Sequence, residues 1–144
     1  MELSHEYFMK QALKLAENAF SEDEVPIGAI VVANNQIIGK GYNQVERLND
    51  PTAHAEMLAI TAASAYLDSK FLNECTLYVT VEPCVMCFGA IQNARIQNIV
   101  IGCLEPKHGY SNFTTNRTKL NVTSGILEND CSLLMKTFFE SKRG

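Results

Sequence analysis

Apolar residues recur at helical spacing after Ser4. Phe8, Ala12, Leu15, Ala16 and Ala19 fall on one face, and the Ser4 hydroxyl is placed to cap the first turn. Gly28–Ala33 is a continuous apolar run of strand length. Asn34-Asn35 follows, a pair that tolerates positive φ and so predicts a tight turn, and Gln36–Tyr42 returns as the second strand of a hairpin. Asp50-Pro51-Thr52 reads as a helix start with Pro51 in the first turn, and the helix runs through His54, Met57, Leu58 and Ile60 to about Ala65. Thr76–Val81 is a third strand, Pro83 opens a helix carrying Cys84, Cys87 and Ile91, and residues 98–102 form a fourth strand. Strand, helix and strand in that order predict a parallel pair with a right-handed crossover. A polar stretch leads to a short strand near 120–123, and a last helix carries Cys131, Leu134, Met135, Phe138 and Phe139. The expectation is one α/β layered domain over residues 1–144, built on a mixed five-stranded sheet.

Composition changes this picture little. A chain of 144 residues that is 47% hydrophobic suits a single core. No run is apolar enough to span a bilayer, and the first residues lack the basic-then-apolar order of a signal peptide. Five cysteines are an odd number for a disulfide framework. The expectation is therefore a reduced, cytoplasmic chain in which Cys75, Cys103 and Cys131 are small core residues. A net charge of −4 gives no bulk support to nucleic-acid binding. Charge is unevenly spread, however. Residues 106–127 contain no acid but hold Lys107, Arg117 and Lys119, with Tyr110 and Phe113 among them, a pattern that could hold phosphates and stack bases or simply cover the core.

The chemistry concentrates in His54-Ala55-Glu56 and Glu82-Pro83-Cys84-Val85-Met86-Cys87. One imidazole and two thiols make a three-ligand set that leaves a coordination position for water, as catalytic zinc sites do. Imidazole and thiolate suit zinc better than magnesium or calcium. Placing His54 and both cysteines in the first turns of two helices favours thiolate over thiol, because unpaired N–H groups and the positive dipole end lie there. Glu56 need not be a ligand and can carry protons between the water and a departing amine. A Cys-x-x-Cys alone could also be a redox pair or half a structural zinc knuckle. The second Cys-x-x-Cys of a knuckle is missing, and a thioredoxin-type motif would follow the first strand without His-x-Glu. His5 and His108 match no ligand spacing and read as surface residues.

His-x-Glu with Pro-Cys-x-x-Cys is the signature of zinc deaminases of nucleobases. Beyond it, nearly the whole chain resembles the bacterial tRNA-specific adenosine deaminases. The resemblance is carried by residues 24–29, Gly39-x-Gly41-x-Asn43, residues 50–56 and 77–87, Gly89-Ala90, Ala94-Arg95-Ile96, and the ending around Cys131 and Phe138-Phe139. It implies a three-layer α/β/α cytidine deaminase-like fold, and a homodimer that converts the wobble adenosine of a tRNA anticodon loop to inosine. It implies one zinc per subunit on His54, Cys84 and Cys87, with Glu56 as proton shuttle. Asn43 would hydrogen-bond the flipped base, Val25 and Pro26 would wall its pocket beside Ala55, and Pro83 would shape the backbone near the zinc water. The chain departs from the family at Glu105, where an Asp is usual, and over residues 109–118; Glu105 and Lys107 fall in the nucleotide-contacting region. A deaminase of free guanine or cytosine shares the motif, and a non-catalytic RNA-binding subunit is a further reading that the intact Glu56 argues against.

Overall fold

A computed structural model describes residues 2–114 and 120–143. In chain order it contains α1 (His5–Ser21), β1 (Gly28–Ala33), β2 (Gln36–Tyr42), α2 (Val45–Leu48), α3 (Ala55–Leu67), β3 (Thr76–Val81), α4 (Val85–Asn93), β4 (Asn98–Cys103), β5 (Asn121–Ser124) and α5 (Glu128–Arg143). A single 3₁₀ turn spans Tyr110–Asn112. The strands lie in the order β2-β1-β3-β4-β5. β1 is antiparallel to both β2 and β3, whereas β3–β4 and β4–β5 are parallel, so the sheet is mixed.

Strand alternation divides the core into two layers. Ala29, Val31, Leu77, Val79, Ile99 and Ile101 pack with Ala55, Ala59 and Ala63 of α3 and Ile91 of α4. Ile30, Val32, Tyr78 and Val100 face the other way, onto Phe8, Met9 and Ala12 of α1 and Cys131 of α5. Helices therefore cover both faces, giving the three-layer α/β/α arrangement. Ser4 caps α1 by accepting from the Tyr7 N–H at 3.1 Å, and Asn34 and Asn35 both take positive φ in the β1–β2 turn. Cys75, Cys103 and Cys131 are buried thiols.

The seating of α3 on β2 positions the functional end of the molecule. A Cβ at Gly41 would collide with the carbonyl of Ala55 at the start of α3. Glycine on the strand and alanines on the helix let the two backbones approach closely. Gly41→Ala is expected to destabilise the fold by at least about 1–3 kcal/mol through overpacking. Thermal unfolding checks this: an unchanged Tm would show that the α3–β2 contact is not tight.

Two helix starts differ from the sequence reading. The Asp50 carboxylate closes its own turn, accepting from the Thr52 N–H at 2.9 Å and the Thr52 hydroxyl at 2.8 Å, so Pro51 and Thr52 lie in a turn and α3 begins only at Ala55. Likewise Pro83 precedes α4 and is not its first residue. Cys84 is extended (φ −74°, ψ 174°), bridges to Gly109, and is followed by Val85 as the first helical position. The pattern of apolar positions does not predict the short helix α2. No side chain of its own caps it; instead the buried Glu24 accepts from the Glu46 and Arg47 N–H groups at 3.1 and 2.7 Å. Arg117 and Lys119 of the expected basic stretch lie outside the described residues.

Candidate metal and catalytic centre

His54 and Cys84 are the residues that cap α3 and α4, and Cys87 lies three residues further on, in the first turn of α4. A cap residue and the third helical residue meet on one side of the helix start, so Cys84 and Cys87 converge. Neither cap residue's own side chain accepts from its helix N–H groups, and two positive dipole ends meet at the three donors. His54 Nδ1 lies 3.7 Å from Cys84 Sγ and 3.5 Å from Cys87 Sγ. All three donor atoms fall within 4.8 Å of one another. A tetrahedral zinc, with bonds of about 2.0–2.1 Å to nitrogen and about 2.3 Å to sulfur, sets those atoms about 3.6 Å apart. The donors thus fit zinc in both chemistry and spacing. The imidazole also hydrogen-bonds the Pro51 backbone, an outer contact that fixes ring orientation.

The electrostatics favour a charged sulfur. Hydrogen bonds from Cys87 and then His54 pull the Cys84 thiol down to about 3. Cys87 is pushed up, first by its hydrogen bond with Cys84 and then by burial. The two titrate as a pair: the first thiolate forms readily and the second only when a cation shares the charge. His54 is raised by its hydrogen bond to Cys84, against the effect of burial.

Glu56 lies at the second position of α3, 3% exposed. Burial pushes its carboxyl up to about 7, against the opposing pull of its own backbone N–H and of His54. Its Oε1 is the buried side-chain oxygen among the described residues that has no hydrogen-bond partner. An orphaned buried carboxylate oxygen is costly unless a ligand or water completes it.

These groups open into a cavity of about 750 Å³. Its inner wall includes Val25, Ile27, Asn43, His54, Glu56 and Cys84. Asn43 Oδ1 accepts from the Ala55 N–H at 2.8 Å, so the amide is held against α3 and its NH₂ has no partner among the described residues. Pro26, Ala55 and Pro83 are buried behind this wall. Glu105 lines the cavity, but its carboxylate accepts from the backbone N–H groups of Lys107 (2.9 Å) and His108, so it clasps its own turn. Lys107 is exposed and outside the lining. His108, read from sequence as a surface residue, is exposed at the cavity rim. Tyr110 is stacked on Phe88 with centroids 4.1 Å apart, so its ring is committed to packing, while Phe113 is 63% exposed.

Two groups of residues at the cavity have no site role in the sequence reading. The first is Glu82, buried at the end of β3. Its two oxygens accept from the Glu105 N–H (3.1 Å) and the Ser111 N–H (3.0 Å) and so brace the 105–111 loop over the site. An acid ending an otherwise apolar strand was the available signal. A Cβ at Gly109 would strike that carboxylate. Glu82→Gln, which puts an NH₂ where an acceptor is needed, is expected to loosen the loop and raise KM several-fold while zinc stays bound. Kinetics with parallel metal analysis reads both, and an unchanged KM would remove Glu82 from the site's support. The second group is Met135, Phe138, Phe139 and Lys142 of α5, which complete the outer wall.

Imidazole, paired thiols and a buried acid at two helix starts above a mixed sheet define a zinc-dependent hydrolytic deaminase. Residues 2–103 match the model of the cytidine and deoxycytidylate deaminase zinc-binding region, and the chain belongs to that family. It is 51% identical over 107 residues to a tRNA-specific adenosine deaminase of Aquifex aeolicus, covering 74% of this chain and 71% of the relative. It is 42% identical over 144 residues to that of Streptococcus pyogenes, covering 95% and 91%. Among solved structures, one from work on A-to-I editing by tRNA:A34 deaminases at the wobble position superposes with a TM-score of 0.83 at 38% identity, covering 89% of this chain and 98% of that one. A guanine deaminase from Nitrosomonas europaea also reaches 0.83, at 25% identity over 96% and 86%. No helix among the described residues is long and apolar enough to cross a membrane.

Proposed function

We propose that this chain hydrolyses adenosine to inosine at the wobble position of a tRNA anticodon loop, releasing ammonia. The orphaned Glu56 Oε1 beside the three metal donors carries the hydrolytic part of this reading. The likeness to tRNA-specific adenosine deaminases over 95% of the chain carries the choice of substrate. His54, Cys84 and Cys87 hold the zinc, one per chain. A zinc held there would lower the pKa of water toward neutrality. Glu56 is placed to take a proton at Oε1 from the attacking water and give it to the purine ring nitrogen as the water oxygen bonds to the carbon bearing the amine. It then carries the proton of the new hydroxyl to the amine, and the C–N bond breaks to release ammonia. The free NH₂ of Asn43 donates to an acceptor on the flipped base. Val25 faces the base, and Pro26, Ala55 and Pro83 hold that wall from behind. Glu105 shapes the rim, and Lys107 meets the nucleotide outside the cavity. A base in a loop is already partly unstacked, which lowers the cost of reaching so deep a site.

The chain acts as a single domain over residues 1–144, as a homodimer and in the cytoplasm. The test is incubation with an anticodon stem-loop carrying A at the wobble position, followed by nucleoside analysis. Inosine at that position is the expected product. A loop with A only in the stem serves as the comparison, and equal conversion of both would refute positional recognition.

A further inference from the structure

The cavity presents a charge problem. Asp23, Glu24, Glu46, Glu56, Glu82 and Glu105 all line it, whereas Lys142 is the one lysine or arginine among the described residues that does. Glu24, Glu82 and Glu105 accept from backbone N–H groups, but the negative charge lining the cavity still opposes an entering phosphodiester. Lys142 is itself engaged: its ammonium donates to the Asp23 carboxylate and lies 5.4 Å from the centroid of Phe138. The pair joins the end of α5 to the loop after α1, and both residues line the cavity. Its partners are 46% and 74% exposed, so it is a weak, exchangeable contact.

We propose that Asp23 is a brake on substrate capture: it holds Lys142 in the absence of RNA, and a phosphate next to the target base displaces it and takes the ammonium. Phe138 keeps the lysine at the rim during the exchange. Lys142 is then the phosphate-positioning residue, and Asp23 sets how strongly a phosphate must compete. This inference rests on the RNA reading above and concerns only how the RNA is held.

The test uses the zinc-loaded chain and the wobble-A stem-loop. Asp23 sits at φ 64°, a conformation that asparagine also adopts readily, so Asp23→Asn removes charge without straining the turn. It is expected to lower KM for the stem-loop by up to about fivefold, the scale of an exposed ion pair. Lys142→Gln is expected to raise KM, to reduce the slope of log affinity against log salt by about 0.7, the value for one single-strand phosphate contact, and to be rescued by Lys142→Arg. In the Lys142→Gln background the gain from Asp23→Asn shrinks. A merely structural pair gives no variant with improved affinity. An unchanged or raised KM for Asp23→Asn overturns the brake and leaves the proposed function intact, as does an equal gain in both backgrounds. A wild-type chain inactive on the stem-loop overturns both.

Discussion

Glu56→Gln is expected to keep about one zinc per chain while turnover falls by about 10²–10⁴-fold, the range for loss of a positioned proton carrier. The carboxylate is not among the three converging donors, so the metal set survives its neutralisation. The amide matches the carboxylate in shape and fills the same buried space, so folding is little disturbed. What disappears is the group that accepts the water's proton. Metal analysis and single-turnover kinetics on the same sample separate these effects. Loss of zinc in the variant would make Glu56 a ligand, and retention of turnover would make another residue the proton carrier.

Cys87→Ser is expected to do the opposite, removing metal and turnover together. Cys87 is fully buried, and its sulfur lies 3.5 Å from His54 Nδ1. A serine hydroxyl in that position is a harder donor that does not ionise near neutrality, so the soft set that selects zinc is broken. Zinc affinity should fall by more than about 100-fold, since loss of even an outer-shell partner costs 10–100-fold. The Tm should fall too, because metal bound only by the native state stabilises it. The comparison is of zinc content and melting temperature before and after chelation. A chelator that leaves the wild-type Tm unchanged would separate metal binding from folding.

The layered fold was legible because its strands are short apolar runs separated by strong turn signals. Asn34-Asn35 take the left-handed backbone that such a pair predicts, and residues 77–79 of β3 and 99–101 of β4 alternate between the two helix layers. The metal donors were legible because zinc chemistry restricts both residue type and spacing. The helix starts were less so. His54 and Cys84 stand outside their helices: Asp50 closes a local turn with Thr52, and Cys84 bridges to the distant Gly109, and apolar periodicity encodes neither contact. Glu24 and Glu82 were hidden for a related reason. Each caps backbone from a distant segment, and only the assembled fold brings those N–H groups to it. The α5 residues that wall the cavity carry an apolar helical pattern, and burial against the core would give the same pattern.

The most direct measurement is a competition. The zinc-loaded chain is given the wobble-A stem-loop and free guanine together, and both products are followed. Inosine at the wobble position is expected, with guanine left unchanged. Conversion of guanine to xanthine with no inosine in the loop would contradict it, and would move the chain's substrate to that of the guanine deaminase with the same architecture.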